Sequence, residues 1–194
     1  MSIEIITGII ALFISILALV FTWISIRQTH KHNENSVLPY CDIRISNKNN
    51  SLSIILYNVG NGPMLVSQFN YVSKDTNEKY ATLKDALTDK ALIKTTDYKD
   101  IIRYAPPKSG MGIKAGGEVS LLSVSQAENA DPDKYQKFRR KMLFELGRLE
   151  IRIEYKNIYG RPTKYVKDLN AFARTFERLQ EEDADNNDEI ALVM

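Results

Sequence analysis

Apolar and polar positions change rhythm along this chain. From Ile5 to Ile26 no residue is charged, and almost every position is large and apolar. The exceptions recur at alternating steps of four and three: Glu4, Gly8, Ala11, Ser15, Ala18, Thr22, Ser25, Thr29 and His32, with Thr7 alone off that register. A run of this length spans a bilayer as a helix. The alternation puts the small and polar residues on one face of a helix in a left-handed supercoil. Of seven small residues between Ile5 and Ile26, six lie on the stripe, an arrangement that random placement gives roughly once in a thousand tries. Small residues let helix backbones approach closely in lipid, and hydroxyls can bond across to a neighbour. The stripe from Glu4 to Ser25 is therefore expected to pack helix against helix. With one such segment in the chain, the partner helices are expected from other copies. The same face could line a narrow wet path through Ser15, Thr22, Ser25 and Thr29, with Glu4 and His32 at its two ends, or pack dry around Gly8, Ala11 and Ala18.

Residues 27–36 are polar and are expected to continue the helix as a neck. From Leu38 the period becomes two. Cys41, Ile43 and Ile45 alternate with polar residues, and after the turn at 47–50 so do Leu52, Ile54 and Leu56. Gly60-Asn61-Gly62-Pro63 breaks the chain, and Met64 to Val72 reads as a third strand of an antiparallel meander. Residues 79–92 are expected to form a short helix with Leu83, Ala86 and Leu87 on one side. Strands are expected at Ile101–Tyr104 and Val119–Val124, with a glycine-rich loop over 108–117 between them. Asp131-Pro132-Asp133 is a helix start, with Pro in the first turn and carboxylates at the positive end. Tyr135, Phe138, Met142 and Leu146 form the apolar stripe of that helix. Leu149, Ile151, Ile153 and Tyr155 alternate strictly with charged residues, and Thr163 to Leu169 returns as the hairpin partner. A helix from about Ala171 to Gln180 closes the domain. The fold class expected is α+β: an N-terminal transmembrane helix, then a mainly antiparallel β-sandwich or barrel with one or two inserted helices. The parts are 1–26 (span), 27–36 (neck), 37–180 (β-rich domain) and 181–194 (acidic flexible tail).

Charge sets the expected orientation. Met1 to Glu4 carry no Lys or Arg and no signal-peptide pattern follows, so the segment reads as an uncleaved anchor. Arg27, His30, Lys31 and His32 follow the apolar run, which places the C-terminal side in the cytoplasm. Cys41 is the only cysteine, in keeping with a reducing compartment. Trp23 sits where an interfacial anchor belongs. The net charge of +2 hides segregation: between Lys134 and Lys167 stand eleven Lys or Arg against three Glu. Arg139, Arg140 and Lys141 crowd one helix turn, while Arg148 and Arg152 are expected on one strand face. An anion such as a nucleotide, a nucleic acid or the inner leaflet is their natural partner, and a solvated face balanced by the acidic tail is the plainer account.

No catalytic constellation is legible. There is no H-E-x-x-H, paired-cysteine or G-x-S-x-G pattern. Arg27 and His32 have the spacing of an R-x4-H ribonuclease pair, but they precede a β-rich domain at the membrane surface. Gly110, Gly112, Gly116 and Gly117 lead into a strand rather than a helix, which suits a β–β loop better than a phosphate cradle. A hydrolase or nuclease would have to draw on Asp97, Asp100 or Glu118. The expectation is a non-enzyme without cofactor or metal.

Leu38-Pro39-Tyr40 leading into a strand, and Leu56-Tyr57-Asn58-Val59-Gly60-Asn61-Gly62-Pro63 behind an N-terminal span, resemble uncharacterised bacterial single-pass membrane proteins with a cytosolic β-rich domain. In architecture alone the chain is also similar to membrane effectors of anti-phage systems. That likeness implies a cytosolic domain that clusters helices and permeabilises the inner membrane. The function expected is thus an inner-membrane homo-oligomer, N-terminus outside, whose β domain controls assembly or senses an anionic signal. The alternative is a membrane-anchored adaptor whose β domain recruits a partner protein.

Overall fold

A computed structural model describes residues 3–48, 50–87, 102–126 and 131–193. The chain divides into two compact units, Met1–Leu38 and Pro39–Met194.

The first unit is one helix, α1 (Ile3–Ser36), of 34 residues and therefore about 51 Å long at 1.5 Å per residue. It contains no proline, and it runs unbroken from the apolar segment through the polar neck. None of its residues is buried within the chain. It is long and apolar enough to cross a membrane.

The second unit is a two-sheet sandwich. Its strands are β1 (Cys41–Lys48), β2 (Ser51–Asn58), β3 (Met64–Ser73), β4 (Lys79–Tyr80), β5 (Ile102–Tyr104), β6 (Gly112–Ile113), β7 (Glu118–Ser125), β8 (Leu149–Lys156) and β9 (Pro162–Asp168). One sheet has the order β1-β2-β7-β5; the other is β4-β3-β8-β9, with β6 also on β3. Every pairing is antiparallel. The α+β class with a β-rich domain is thus the architecture of this chain.

Period-two patterning places the core. Leu52, Ile54 and Leu56 of β2 are buried, as are Leu149, Ile151, Ile153 and Tyr155 of β8, and both sets belong to one cluster. Tyrosine hydroxyls join the sheets along the open edge of β1. Tyr155 accepts from the Cys41 amide and Tyr165 from the Ile43 amide, each at 3.4 Å.

Among the described residues four helices accompany the strands, counting α1. α2 is a single turn (Leu83–Ala86) whose cap Thr82 accepts from the Asp85 amide. α3 (Pro132–Gly147) starts where Asp131 accepts from the Asp133 and Lys134 amides, and it buries Tyr135, Phe138, Met142 and Leu146 as its spacing predicts. α4 (Asn170–Val193) packs Phe172, Phe176 and Leu179 inward.

Several expectations need correction. The meander stops at β2: β3 leaves for the second sheet and pairs with β8, because residues 59–63, with two glycines and a proline, carry the chain across the sandwich. The glycine-rich segment is not wholly loop, since Gly112 and Ile113 pair with Leu65 and Met64. The region 79–92 begins as a strand, Lys79–Tyr80, and among its described residues the helix is the turn Leu83–Ala86. Residues 88–92 and Ile101 lie outside the described residues. The last helix continues past Gln180 to Val193. The segment lacks Gly and Pro, the strongest helix breakers, although Asp and Asn are common in it.

Candidate functional site

The stripe on α1 carries its own hydrogen bonds. Ser15, Thr22 and Thr29 donate to the carbonyls of Ala11, Ala18 and Ser25 at 2.8, 2.8 and 2.9 Å. Each hydroxyl thus spends its proton one turn back along the same stripe. A Cβ placed on Gly8 would meet nothing within 4 Å. Glu4, Gly8, Ala11, Ser15, Ala18, Thr22 and Ser25 therefore form an open, narrow face. At the other end of the apolar run the Arg27 guanidinium lies 3.7 Å from the centre of the Trp23 ring.

The five basic candidates do not come together as one anion site. Arg139 is 5% exposed. It donates to Asn47 at 2.7 Å and to Gln136 at 3.3 Å, so it ties α3 to the end of β1. Burial pushes its guanidinium below the ordinary value. Arg148 is not on a strand face: it is the C-cap of α3, and its Nε donates to Asp75 at 2.6 Å. Arg152 is paired with Glu150 and donates to Asn77 at 3.3 Å. Arg140 is half-buried on α3, and Lys141 alone of the five is exposed. A helix turn of three cations splits this way because its neighbours point in different directions, one inward.

The glycine-rich segment is committed to the fold as well. Gly110 donates to Val66 and Gly116 to Asn58, at 2.8 and 2.9 Å. Of the acids named beside it, Glu118 is hydrogen-bonded by Tyr57, while Asp97 and Asp100 lie outside the described residues. Among the described residues no cluster of three His, Cys, Asp or Glu side chains is assembled.

One residue that periodicity cannot single out organises an entire end of the domain. Asn58 is fully buried at the close of β2. Its Nδ2 donates to the carbonyls of Gly62, Ile113 and Lys114 at 2.7, 3.0 and 3.2 Å. Its Oδ1 accepts from the amides of Tyr40 and Gly60 at 3.2 and 3.1 Å. The entry to β1, the 59–63 turn and the β6–β7 loop are thus fixed to one side chain. The only legible signal is an Asn at the even position of an otherwise inward-facing series.

An open groove of about 740 Å³ lies along β1, lined also by β9 and the start of α4. Its charges are mixed. Arg44 is 3.5 Å from Asp42 and stacks on Tyr57, and Asp168 pairs with Lys74 at 2.5 Å. Lys167 and Arg174 complete the rim.

An apolar helix of bilayer length followed by this sandwich defines a small helix-plus-β-domain protein. Residues 5–173 match a family described as a domain of unknown function, DUF8453, and the chain belongs to that family. The match takes in the apolar helix together with the sandwich. No curated protein matches the sequence.

Proposed function

We propose that this is a single-span protein of the bacterial inner membrane, N-terminus outside, that associates with its own copies through α1. Its β domain stands in the cytoplasm and controls that assembly. The observation that carries the reading is the uncharged stretch from Ile5 to Ile26, none of it buried within the chain. So much exposed apolar surface needs an apolar medium. Arg27 and Lys31 at the C-terminal end of the apolar run support this orientation.

Self-association follows from the size of the stripe rather than its polarity. The hydroxyls of Ser15 and Thr22 already have acceptors, so close approach and dispersion drive the contact. Full-length protein in lipid nanodiscs should have the mass of a defined oligomer. Ser15→Leu or Ala18→Leu should split it, and Ser15→Ala should not. A monomeric wild type, or oligomers indifferent to Leu at both positions, would overturn the reading. Its sharpest form is a membrane-permeabilising effector in anti-phage defence: expression would then depolarise cells, and Thr22→Leu would abolish the effect.

The adaptor reading has one observation in its favour. Among the described residues no strand pairs with the outer side of β9, and Val166 on it is 55% exposed. Such edges accept an added strand from a partner. Affinity capture from membranes separates the two readings, since an adaptor brings a foreign protein in stoichiometric amount.

A further inference from the structure

We infer that the end of the sandwich at which the chain enters from α1 docks on anionic membrane lipid. This rests on the reading of α1 as a span. Strand register defines the end: Cys41 pairs with Asn58, Tyr57 with Glu118, Leu65 with Lys156, and Lys156 with Pro162. The segments 37–40, 59–63, 105–117 and 157–161 all meet there.

Two chemistries share these segments. Tyr40, Val59, Met111, Ile158 and Tyr159 are 67, 49, 37, 51 and 47% exposed. Tyr40 and Val59 are neighbours, for the Val59 amide donates to the Tyr40 carbonyl at 2.8 Å. Around them Lys108, Lys114, Lys156 and Arg161 are exposed. None of these four is in an ion pair among the described residues. The four segments contain no Asp or Glu. The nearest carboxylates are occupied: Asp42 faces Arg44, and Glu118 takes the Tyr57 hydroxyl. At the opposite end carboxylates and cations stand together: Asp75 pairs with Arg148, and Asp168 with Lys74.

Apolar and tyrosine tips among unpaired cations, with carboxylates excluded, suit the headgroup boundary of an anionic leaflet. The tips are also pre-set. Asn58 fixes the first two segments, and Asn157 Oδ1 accepts from the Tyr159 and Arg161 amides at 3.0 and 2.8 Å. The tether favours lipid over a protein partner. Between Ile26 and Pro39 run ten helical residues, about 15 Å at 1.5 Å each, and then Val37 and Leu38. Those twelve residues limit how far the domain can stand from the lipid when α1 spans it.

The test uses full-length protein in nanodiscs of phosphatidylcholine, with or without about a third phosphatidylglycerol. A polarity-sensitive fluorophore is attached at Ile158→Cys, or at Lys48→Cys at the far end. Cys41 does not compete, because it is buried and its thiol is pushed up to about 12. The label at 158 should blue-shift and brighten about two-fold with the anionic lipid and lose that response in high salt. The label at 48 should not respond. Combined Lys108→Glu, Lys114→Glu and Arg161→Glu should abolish the response while the protein stays in the disc. Water-like emission at 158 in the anionic discs, or emission indifferent to the lipid, overturns the inference while leaving the span intact. A chain that alkaline carbonate washes from membranes overturns the span itself, and the docking surface with it.

Discussion

Asn58 uses all its hydrogen-bonding capacity in a place where water cannot substitute. Replacing it by Ala strands backbone groups on three segments, and a cost of about 2–4 kcal/mol is expected in chemical denaturation. Asn58→Asp keeps the shape but turns an acceptor toward three carbonyls, so it should be at least as damaging. The hydroxyls of Tyr71 and Tyr135 present the converse case. Both are buried with no hydrogen-bond partner among the described residues, and burial raises the pKa of both phenols. Tyr71→Phe and Tyr135→Phe should therefore leave the unfolding midpoint unchanged or raise it, by up to about 1 kcal/mol. A clear loss in either variant would mean that the hydroxyl has a partner. The inward positions of β2, β8 and α3 were legible because hydrophobic period alone specifies them. Asn58 and Arg139 were not, because a polar residue that the fold has buried looks in sequence like any other polar residue.

Helix ends and helix contacts separate local from tertiary signals. Asp131 was legible as a cap, since its side chain acts on amides two and three residues away. Asp131→Ala should cost about 1 kcal/mol, measured by thermal unfolding. The α3–α4 contact was not legible, because it depends on residues far apart in sequence. A Cβ on Gly147 would lie 2.8 Å from the backbone nitrogen and Cβ of Ala173, and Phe144 meets Phe176 nearby with ring centres 5.3 Å apart. Gly147→Ala gains helix propensity yet must push the two helices apart, for a net loss of about 1–3 kcal/mol. Ala173→Gly in the same chain should recover little of it, because the backbone nitrogen and Cα of residue 173, at 2.8 and 2.9 Å, stay in the way. The same divide explains β3. Its alternation is plain in the sequence, but the choice of β8 over β2 as neighbour is made by the whole sandwich.

At the scale of the molecule, the buried thiol and phenols act in one direction, opposite to the buried Arg139 guanidinium, whose pKa burial lowers. Burial raises the pKa of the Cys41 thiol, to about 12, and of the hydroxyls of Tyr71, Tyr135, Tyr155 and Tyr165. Each of these groups binds its proton more tightly folded than unfolded. Its contribution is complete below the unfolded pKa, near 9 for the thiol and 10 for the phenols, and is lost as pH rises toward the folded value. Among carboxylates, a resolved shift belongs to exposed Glu154, lowered by its Lys164 hydrogen bond, and solvent screens that pair. The β domain should thus hold its denaturation midpoint from about pH 6 to 9 and lose stability steeply above. Cys41→Ala would remove the earliest part of that fall and leave the phenol part in place. A midpoint that dropped on the acid side first would mean that carboxylate pairs, rather than this buried phenol and thiol set, govern the fold. The two membrane contacts proposed for the chain respond to neither change in the same way: packing along the α1 stripe carries no titrating group from Gly8 to Ser25, while docking through Lys108, Lys114, Lys156 and Arg161 weakens with salt at any pH at which those cations persist. Salt should therefore lift the β domain from the bilayer surface without altering the mass of the oligomer, and a salt titration that changed both together would show that assembly depends on the docked domain.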